Sequence, residues 1–354
     1  MPEPGNSGAQ DTPILQVRGL AKHFDVSKPW LTRVVEGQPR QILKAVDGID
    51  FEIRKGETFS LVGESGCGKS TVAKLIVGLH APSSGRIVFD GRDVAAAGSR
   101  KEVASLRRRW QMIFQDPYAS LNPRWRVRDI IAEPLRTFGL VTSRDDLQDR
   151  VAELLLQVGL SPQDGEKYPH EFSGGQRQRI SIARALSSKP EFLVCDEPTS
   201  ALDVSVQAQI LNLMKDLQTE LGLTYLFISH NLAVVYHVSD KIAVMYLGRL
   251  CEVASARDLF QRPQHPYTRL LLDTVPDLDM TGKERAPVAG EVPNPINPPT
   301  GCAFHPRCPF ANDRCKSETP RLLQSGDHAI ACHAAEEGRL PEAERSAEPL
   351  AATT

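Results

Sequence analysis

The segment Gly63-Glu64-Ser65-Gly66-Cys67-Gly68-Lys69-Ser70-Thr71 has the spacing G-x-x-x-x-G-K-[ST]. Glycines at these places let successive backbone N–H groups turn toward a triphosphate, and a helix opening near Lys69 adds the positive end of its dipole. Lys69 is then expected to reach the β- and γ-phosphates, and the Ser70 hydroxyl to ligate Mg²⁺. A second acidic element lies at Phe192-Leu193-Val194-Cys195-Asp196-Glu197. Its apolar run predicts a strand that delivers Asp196 to the mouth of the glycine-rich loop, to hold Mg²⁺ through water. Glu197, the next residue, is placed to polarise a water against the γ-phosphate. Together these residues predict the binding and hydrolysis of Mg-ATP.

The seven cysteines predict a separate chemistry. Cys67, Cys195 and Cys251 are scattered, whereas Cys302, Cys308, Cys315 and Cys332 fall within 31 residues, in the spacing C-x5-C-x6-C-x16-C. In a reducing compartment such a cluster reads as a metal or iron–sulfur site before it reads as disulfides. Three readings compete: free thiols in a small cap, structural Zn²⁺, and a [4Fe–4S] cluster. Zinc sites usually bring ligands in C-x₂₋₄-C pairs, and none exists here, although His305 and His333 stand near enough to serve as substitute ligands. Four thiolates suffice for a cubane cluster, and looser loops suit its larger size.

Among the elements that must position these residues, Ile14 to Val17 and Glu57 to Val62 read as strands, the second entering the glycine-rich loop. Val26 to Gln41, with Pro29, Gly37 and Pro39, reads as a loop insertion between them. Trp110 to Phe114 is a candidate strand, and Leu147 to Val158 an amphipathic helix stopped by Gly159. Phe192 to Cys195 and Thr224 to Ser229 have the continuous apolar character of buried parallel strands. The predicted helix Val204 to Leu221 forms the crossover between them, and Ile242 to Val253 suggests a hairpin about Leu247-Gly248-Arg249. No internal repeat is present, so one nucleotide-binding unit is expected. From about Asp273 the texture changes to a proline- and glycine-rich stretch, then the cysteine cluster, then an Ala/Glu-rich end.

Bulk properties narrow the class. At 354 residues the chain can bury one large core plus an appendage. A formal net charge of −2 gives no overall electrostatic reason to expect nucleic acid or an anionic membrane as partner. No stretch approaches the roughly 20 apolar residues of a membrane helix. Met1 to Thr12 lacks the basic start and apolar centre of a signal peptide. A cytoplasmic chain that reaches a membrane only through another protein is expected.

Phe172-Ser173-Gly174-Gly175-Gln176 resembles the signature sequence of ATP-binding-cassette (ABC) ATPases, with Phe172 where Leu is commoner. Gln115, Ser200-Ala201-Leu202-Asp203 and His230 look like the family's Q-loop, D-loop and switch histidine, and Phe24 matches by position the aromatic platform for adenine. Asn231 stands where Asp is common. Further stretches are similar to the dipeptide/oligopeptide permease ATPases: Phe114 to Pro123, Tyr168 to Phe172, His265-Pro266-Tyr267-Thr268, and Asn297 to Pro309. The similarity spans about residues 14–333 and is nearest to the F-type subunit; nickel importers use near relatives.

The resemblance implies an α/β, RecA-like P-loop NTPase core with an antiparallel β subdomain and an α-helical subdomain. The chain is then divided into a nucleotide-binding domain at 13–272 (helical part about 116–185) and a small Cys-rich C-terminal domain at 273–333, while the Ala/Glu-rich composition of 334–354 predicts a disordered tail. The resemblance further implies head-to-tail pairing with a second, D-type ATPase. Each ATP then lies between one subunit's P-loop and the other's Ser173–Gln176. Glu197 and His230 serve hydrolysis, and Gln115 senses the γ-phosphate and joins Ser70 and Asp196 around Mg²⁺. Docking is expected on two membrane permease subunits at the cytoplasmic face, served indirectly by an extracytoplasmic solute-binding protein. The same resemblance favours the iron–sulfur reading of the four cysteines.

Overall fold

A computed structural model describes residues 13–37, 39–94, 99–273 and 290–341. Two sheets organise them. The strands β1 (Pro13–Asp25), β2 (Ile42–Arg54), β4 (Ser84–Phe89) and β5 (Arg92–Asp93) form an antiparallel sheet in the order β2-β1-β4-β5. The larger sheet contains β3 (Thr58–Val62), β6 (Trp110–Ile113), β7 (Phe192–Asp196), β8 (Thr224–Ile228), β9 (Lys241–Tyr246), β10 (Arg249–Ser255), β11 (Leu323–Ser325) and β12 (His328–Ile330). Its order is β11-β12-β10-β9-β3-β8-β7-β6, and the five strands from β9 to β6 run parallel.

Period-2 alternation explains how the layers close. In β7, Phe192 and Val194 face a core shared with the antiparallel sheet, where Phe51 stacks on Phe59 with ring centroids 5.0 Å apart. Leu193 and Cys195 face the opposite side, among Ile130, Leu155, Ile180 and Leu211. Those residues come from the helices Val127–Thr137, Arg144–Gln157, Gly174–Leu186 and Val204–Leu221. The parallel strands are therefore buried on both faces, which accounts for their unbroken apolar runs. Phe172 is buried in this second core, so an aromatic ring fits where Leu is commoner.

Three expectations need correcting. The insertion Val26 to Gln41 is not all loop: it carries the helix Trp30–Glu36, closed by Gly37 at φ 63°. The cysteine-rich region is not a separate body. Its β11–β12 hairpin extends the main sheet, pairing Glu252 with Ile330 and Val253 with Ala329, and Phe304 packs on Tyr246 and Tyr267 in a shared core. The bare edge of β10 would leave unpaired N–H and C=O groups, and β12 satisfies them. The tail expected from residue 334 is ordered at its start, since His333–Glu336 is helical and residues to 341 are described. Residues 342–354 and 274–289 lie outside the described residues.

Candidate active site

The glycine-rich loop joins β3 to the helix Lys69–Ile76. Gly63 and Gly68 have φ of 151° and 112°. A Cβ on Gly63 would collide with the Met245 carbonyl oxygen, and one on Gly68 with that of Ala45, so close backbone approach demands glycine at both. Lys69 is buried, and its Nζ donates to the carbonyl oxygens of Gly63 (2.7 Å) and Glu64 (3.0 Å). Cys67 Sγ lies 3.7 Å from the same ammonium. Burial pushes the Cys67 thiol up, with Lys69 opposing, so it packs as a neutral group. Ser65 and Gly66 form the exposed crown of the loop, and Thr71 stands in the first helical turn.

Across the sheet, Ser70 Oγ donates to Asp196 Oδ1 at 3.0 Å. Two of the three expected Mg²⁺ ligands thus touch. Asp196 is buried, which raises its carboxyl; the Ser70 bond pulls it back and the neighbouring Glu197 adds to the rise. A buried carboxylate under that desolvation is relieved by a cation, so the donor set fits Mg²⁺.

Glu197 turns out of β7 at φ 47°, a left-handed conformation rare for a residue with a side chain. Its N–H donates to the Ile228 carbonyl at 2.9 Å, pinning the turn to the end of β8. The carboxylate is met from both sides: Gln115 Nε2 donates to Oε2 at 3.0 Å, and His230 Nδ1 lies 3.2 Å from the same oxygen. Gln115 follows β6 and His230 follows β8. The neighbouring strand ends β8-β7-β6 therefore deliver three expected site residues to one point.

Other expected residues stand apart from this cluster. Ser173 caps the helix Gly174–Leu186 by accepting from Gln176 N–H (3.4 Å), and the Gln176 side chain accepts from Ser173 N–H (3.0 Å). Among the described residues, no hydrogen bond joins Ser173–Gln176 to the glycine-rich loop. Gly174 lies beside Leu202, and a Cβ on Gly175 would press into Val206. Asp203 caps the helix Val204–Leu221, accepting from Val206 N–H at 3.0 Å and Ser205 Oγ at 2.8 Å, bonds that hold its carboxyl below the usual range. Phe24, half-buried at the end of β1, has an edge-on contact with His80 and Lys22 Nζ 5.1 Å from its ring centroid. Asn231 caps the helix Leu232–Val238 by accepting from Ala233 and Val234 N–H, a task its amide oxygen performs as an Asp would.

Sequence reasoning missed the partners of Glu64. Its N–H donates to Tyr267 Oη at 2.9 Å, and its carboxylate takes both terminal nitrogens of Arg307, at 2.8 and 3.0 Å. Tyr267 and Arg307 fall within stretches quoted for the family resemblance, but nothing in their spacing pointed to residue 64.

Three of the four clustered cysteines, Cys302, Cys308 and Cys332, have thiols pushed up by burial. Burial first, and then the neighbouring thiols, raise Cys302 to about 12 and Cys308 to about 11, and Cys332 rises for want of solvation. The four are close enough to act on one another electrostatically, yet among the described residues no three His, Cys, Asp or Glu side chains converge closely enough to hold a metal ion. His333, beside Cys332, is buried and leaves Nδ1 without a hydrogen-bond partner.

Comparison with known proteins places this geometry. Residues 46–200 match the ABC transporter family model, and residues 251–315 match that of the oligopeptide/dipeptide transporter C-terminal region. The chain is 48% identical over 331 residues to the oligopeptide transport ATP-binding protein AppF of Bacillus subtilis, covering 92% of this chain and 99% of that protein. It is likewise 48% identical over 326 residues to the di/tripeptide transport ATP-binding protein DppF of Pseudomonas aeruginosa, covering 92% and 98%. Among solved structures it resembles cbiO1 of Clostridium perfringens, part of an ABC transporter complex, with a TM-score of 0.58, 30% identity, and 70% and 90% of the two chains covered. A dimeric ATP-binding cassette bound to ADP and Pi matches with a TM-score of 0.60, 26% identity, and 69% and 99% coverage. With relatives this similar over nearly their whole length, and with cassette residues gathered at the ends of β6, β7 and β8, the chain belongs to the oligopeptide/dipeptide family of ABC transporter ATP-binding proteins.

Proposed function

We propose that this chain binds and hydrolyses Mg-ATP as one of two ATPase subunits of a peptide importer, at the cytoplasmic face of the membrane. The observation that carries the reading is the convergence of Gln115 and His230 on the Glu197 carboxylate, beside the Ser70–Asp196 pair. Ser70, Asp196 and Gln115 would hold Mg²⁺, which would offset the charge of the phosphate oxygens. Lys69 exchanges its loop carbonyls for phosphate oxygens, and the amides of residues 63–71 line the anion. Glu197 accepts a proton from the attacking water, while His230 and Gln115 hold its carboxylate and sense the γ-phosphate; catalysis is positioning and charge stabilisation. Ser173–Gln176 and Asp203 act on the nucleotide of a D-type partner subunit, head to tail, and Phe24 stacks on adenine. No described helix is long and apolar enough to cross a membrane, which suits docking through two permease subunits fed by a solute-binding protein.

Glu197→Gln tests the reading. The variant should bind Mg-ATP yet turn it over at least about 100-fold more slowly in the complete transporter, the usual scale of general-base assistance. Near-normal turnover would refute Glu197 as the base. Uptake assays with di- and tripeptides against Ni²⁺ in the same complex decide the cargo, and nickel uptake without peptide uptake would overturn the peptide reading.

For Cys302, Cys308, Cys315 and Cys332 we propose a structural [4Fe–4S] cluster. Four soft donors within 31 residues support it, and they would hold the cluster as thiolates and pin the segment structurally; among the described residues they do not converge on one point. Anaerobically purified protein should be brown and contain about four irons per chain. One zinc per chain would instead assign the site to Zn²⁺, with His333 as an available donor, and metal-free protein would leave four free thiols.

A further inference from the structure

Arg307 reaches the P-loop from the far end of the chain. It sits on the short turn His305–Arg307, closed by bonds from His305 N–H to the Cys302 carbonyl (3.0 Å) and from Arg307 N–H to the Phe304 carbonyl (3.0 Å). The guanidinium side chain is 2% exposed, and Tyr246 and Phe304 flank it with ring centroids 5.8 Å away. Tyr246 Oη accepts from Nη1 at 3.3 Å. Within that walled position the fork grips Glu64 by both carboxylate oxygens, across 243 residues of sequence, while Tyr267 Oη holds the Glu64 N–H. Glu64 is the second residue of the glycine-rich loop, and its own carbonyl takes Lys69 Nζ.

We infer that Arg307 is a positioning residue for nucleotide binding: it cancels the negative charge of Glu64 beside the triphosphate and fixes the loop in its anion-cradling shape. The argument is one of sign. A carboxylate on a loop that must accept a highly charged anion works against binding unless a cation is locked onto it. Here a buried, bidentate guanidinium does so, and such a pair is both directional and poorly screened. Arginine suits the task better than lysine, because its planar fork matches the two oxygens of Glu64. The cysteine-bearing C-terminal segment thereby becomes part of the nucleotide site, though it lies outside the matched ABC region at 46–200.

The inference rests on the P-loop reading, and the test separates the two. Mg-ATP affinity of the full-length chain is measured calorimetrically in the wild type, Lys69→Ala, Arg307→Met, Glu64→Gln and the Arg307→Met/Glu64→Gln double variant, with thermal melts alongside. Arg307→Met should weaken binding about tenfold, and adding Glu64→Gln should restore it to within about threefold of wild type. A merely structural role for Arg307 would not be rescued by neutralising its partner. The loss in Arg307→Met should also shrink as salt rises from about 50 to 500 mM. If Arg307→Met fails to fold, Arg307→Lys with and without Glu64→Gln carries the same comparison. Unchanged affinity in Arg307→Met, or equal weakness with and without Glu64→Gln, overturns the inference. Retained binding in Lys69→Ala would overturn the P-loop reading instead.

Discussion

At the scale of single residues, the loop shows how little of a motif's spacing is about the residues' chemistry alone. Gly66 and Gly68 both have positive φ, 79° and 112°. Around a Cβ on Gly66 there is open space, whereas a Cβ on Gly68 meets the Ala45 carbonyl oxygen and the Met245 side chain. Gly66→Ala therefore faces only the left-handed penalty of about 1–2 kcal/mol. Gly68→Ala faces that penalty and a backbone collision, and should lose at least about 2 kcal/mol more, with loss of nucleotide binding. Urea unfolding of the two variants checks the contrast, and matching midpoints would show that the collision is relieved at little cost. Glu197 is the converse case, since it keeps a left-handed φ with a full side chain. The bond from its N–H to Ile228 holds that turn, and the strain lies where Gln115 and His230 meet it.

At the scale of elements, legibility followed locality. The helix Val204–Leu221 occupies the predicted bounds because its apolar stripe, the Asp203 cap and the Gly222 stop are all local signals. The strands β7 and β8 were readable because burial on both faces leaves no polar interruption. The site residues that sit at strand ends inherit that legibility: once β6, β7 and β8 are placed side by side, Gln115, Glu197 and His230 must lie close. The helix Trp30–Glu36 was not legible, because Pro29, Gly37 and Pro39 read as breakers while in fact Pro29 precedes and Gly37 closes a two-turn helix. Pairing of β12 with β10 was also hidden. A three-residue strand has too little periodicity to read, and its partner lies more than 70 residues earlier. Arg307 and Glu64 were hidden for the same reason, for no local pattern announces an ion pair closed across the whole fold.

At the scale of the whole molecule, the seam between the cassette and the C-terminal region is built on buried titratable groups, and this makes it sensitive to acid. Glu252 on β10 is 0% exposed. Burial pushes its carboxyl up, but a 2.7 Å bond with His328 Nε2 on β12 and the N–H groups of Gln264 (2.7 Å) and His265 (2.9 Å) outweigh that and hold it below the usual range. His265, 2% exposed, accepts from Tyr267 N–H through Nδ1 at 3.0 Å, so this ring is neutral with its proton on Nε2. Burial pulls its pKa down to about 4, against some opposition from Glu252, while Arg269 adds to the fall. The unfolded chain takes up a proton at this histidine near pH 6.5, whereas the folded chain resists to about 4. Between those values the unfolded state binds more protons, so the stability contribution is complete above pH 6.5 and drains away as pH falls toward 4. Glu252 acts with the same sign, losing its contribution at still lower pH as the carboxyl protonates. For His265 alone the change amounts to at most about 3 kcal/mol, at 1.36 kcal/mol per pH unit. Urea unfolding at pH 7.5 and pH 5.0 should show the wild type losing a large part of this, with the His265→Gln variant, weaker at neutral pH, nearly flat across the same interval. A wild type as stable at pH 5.0 as at pH 7.5, or a variant with an equally steep decline, would show that His265 is not what ties the two regions together.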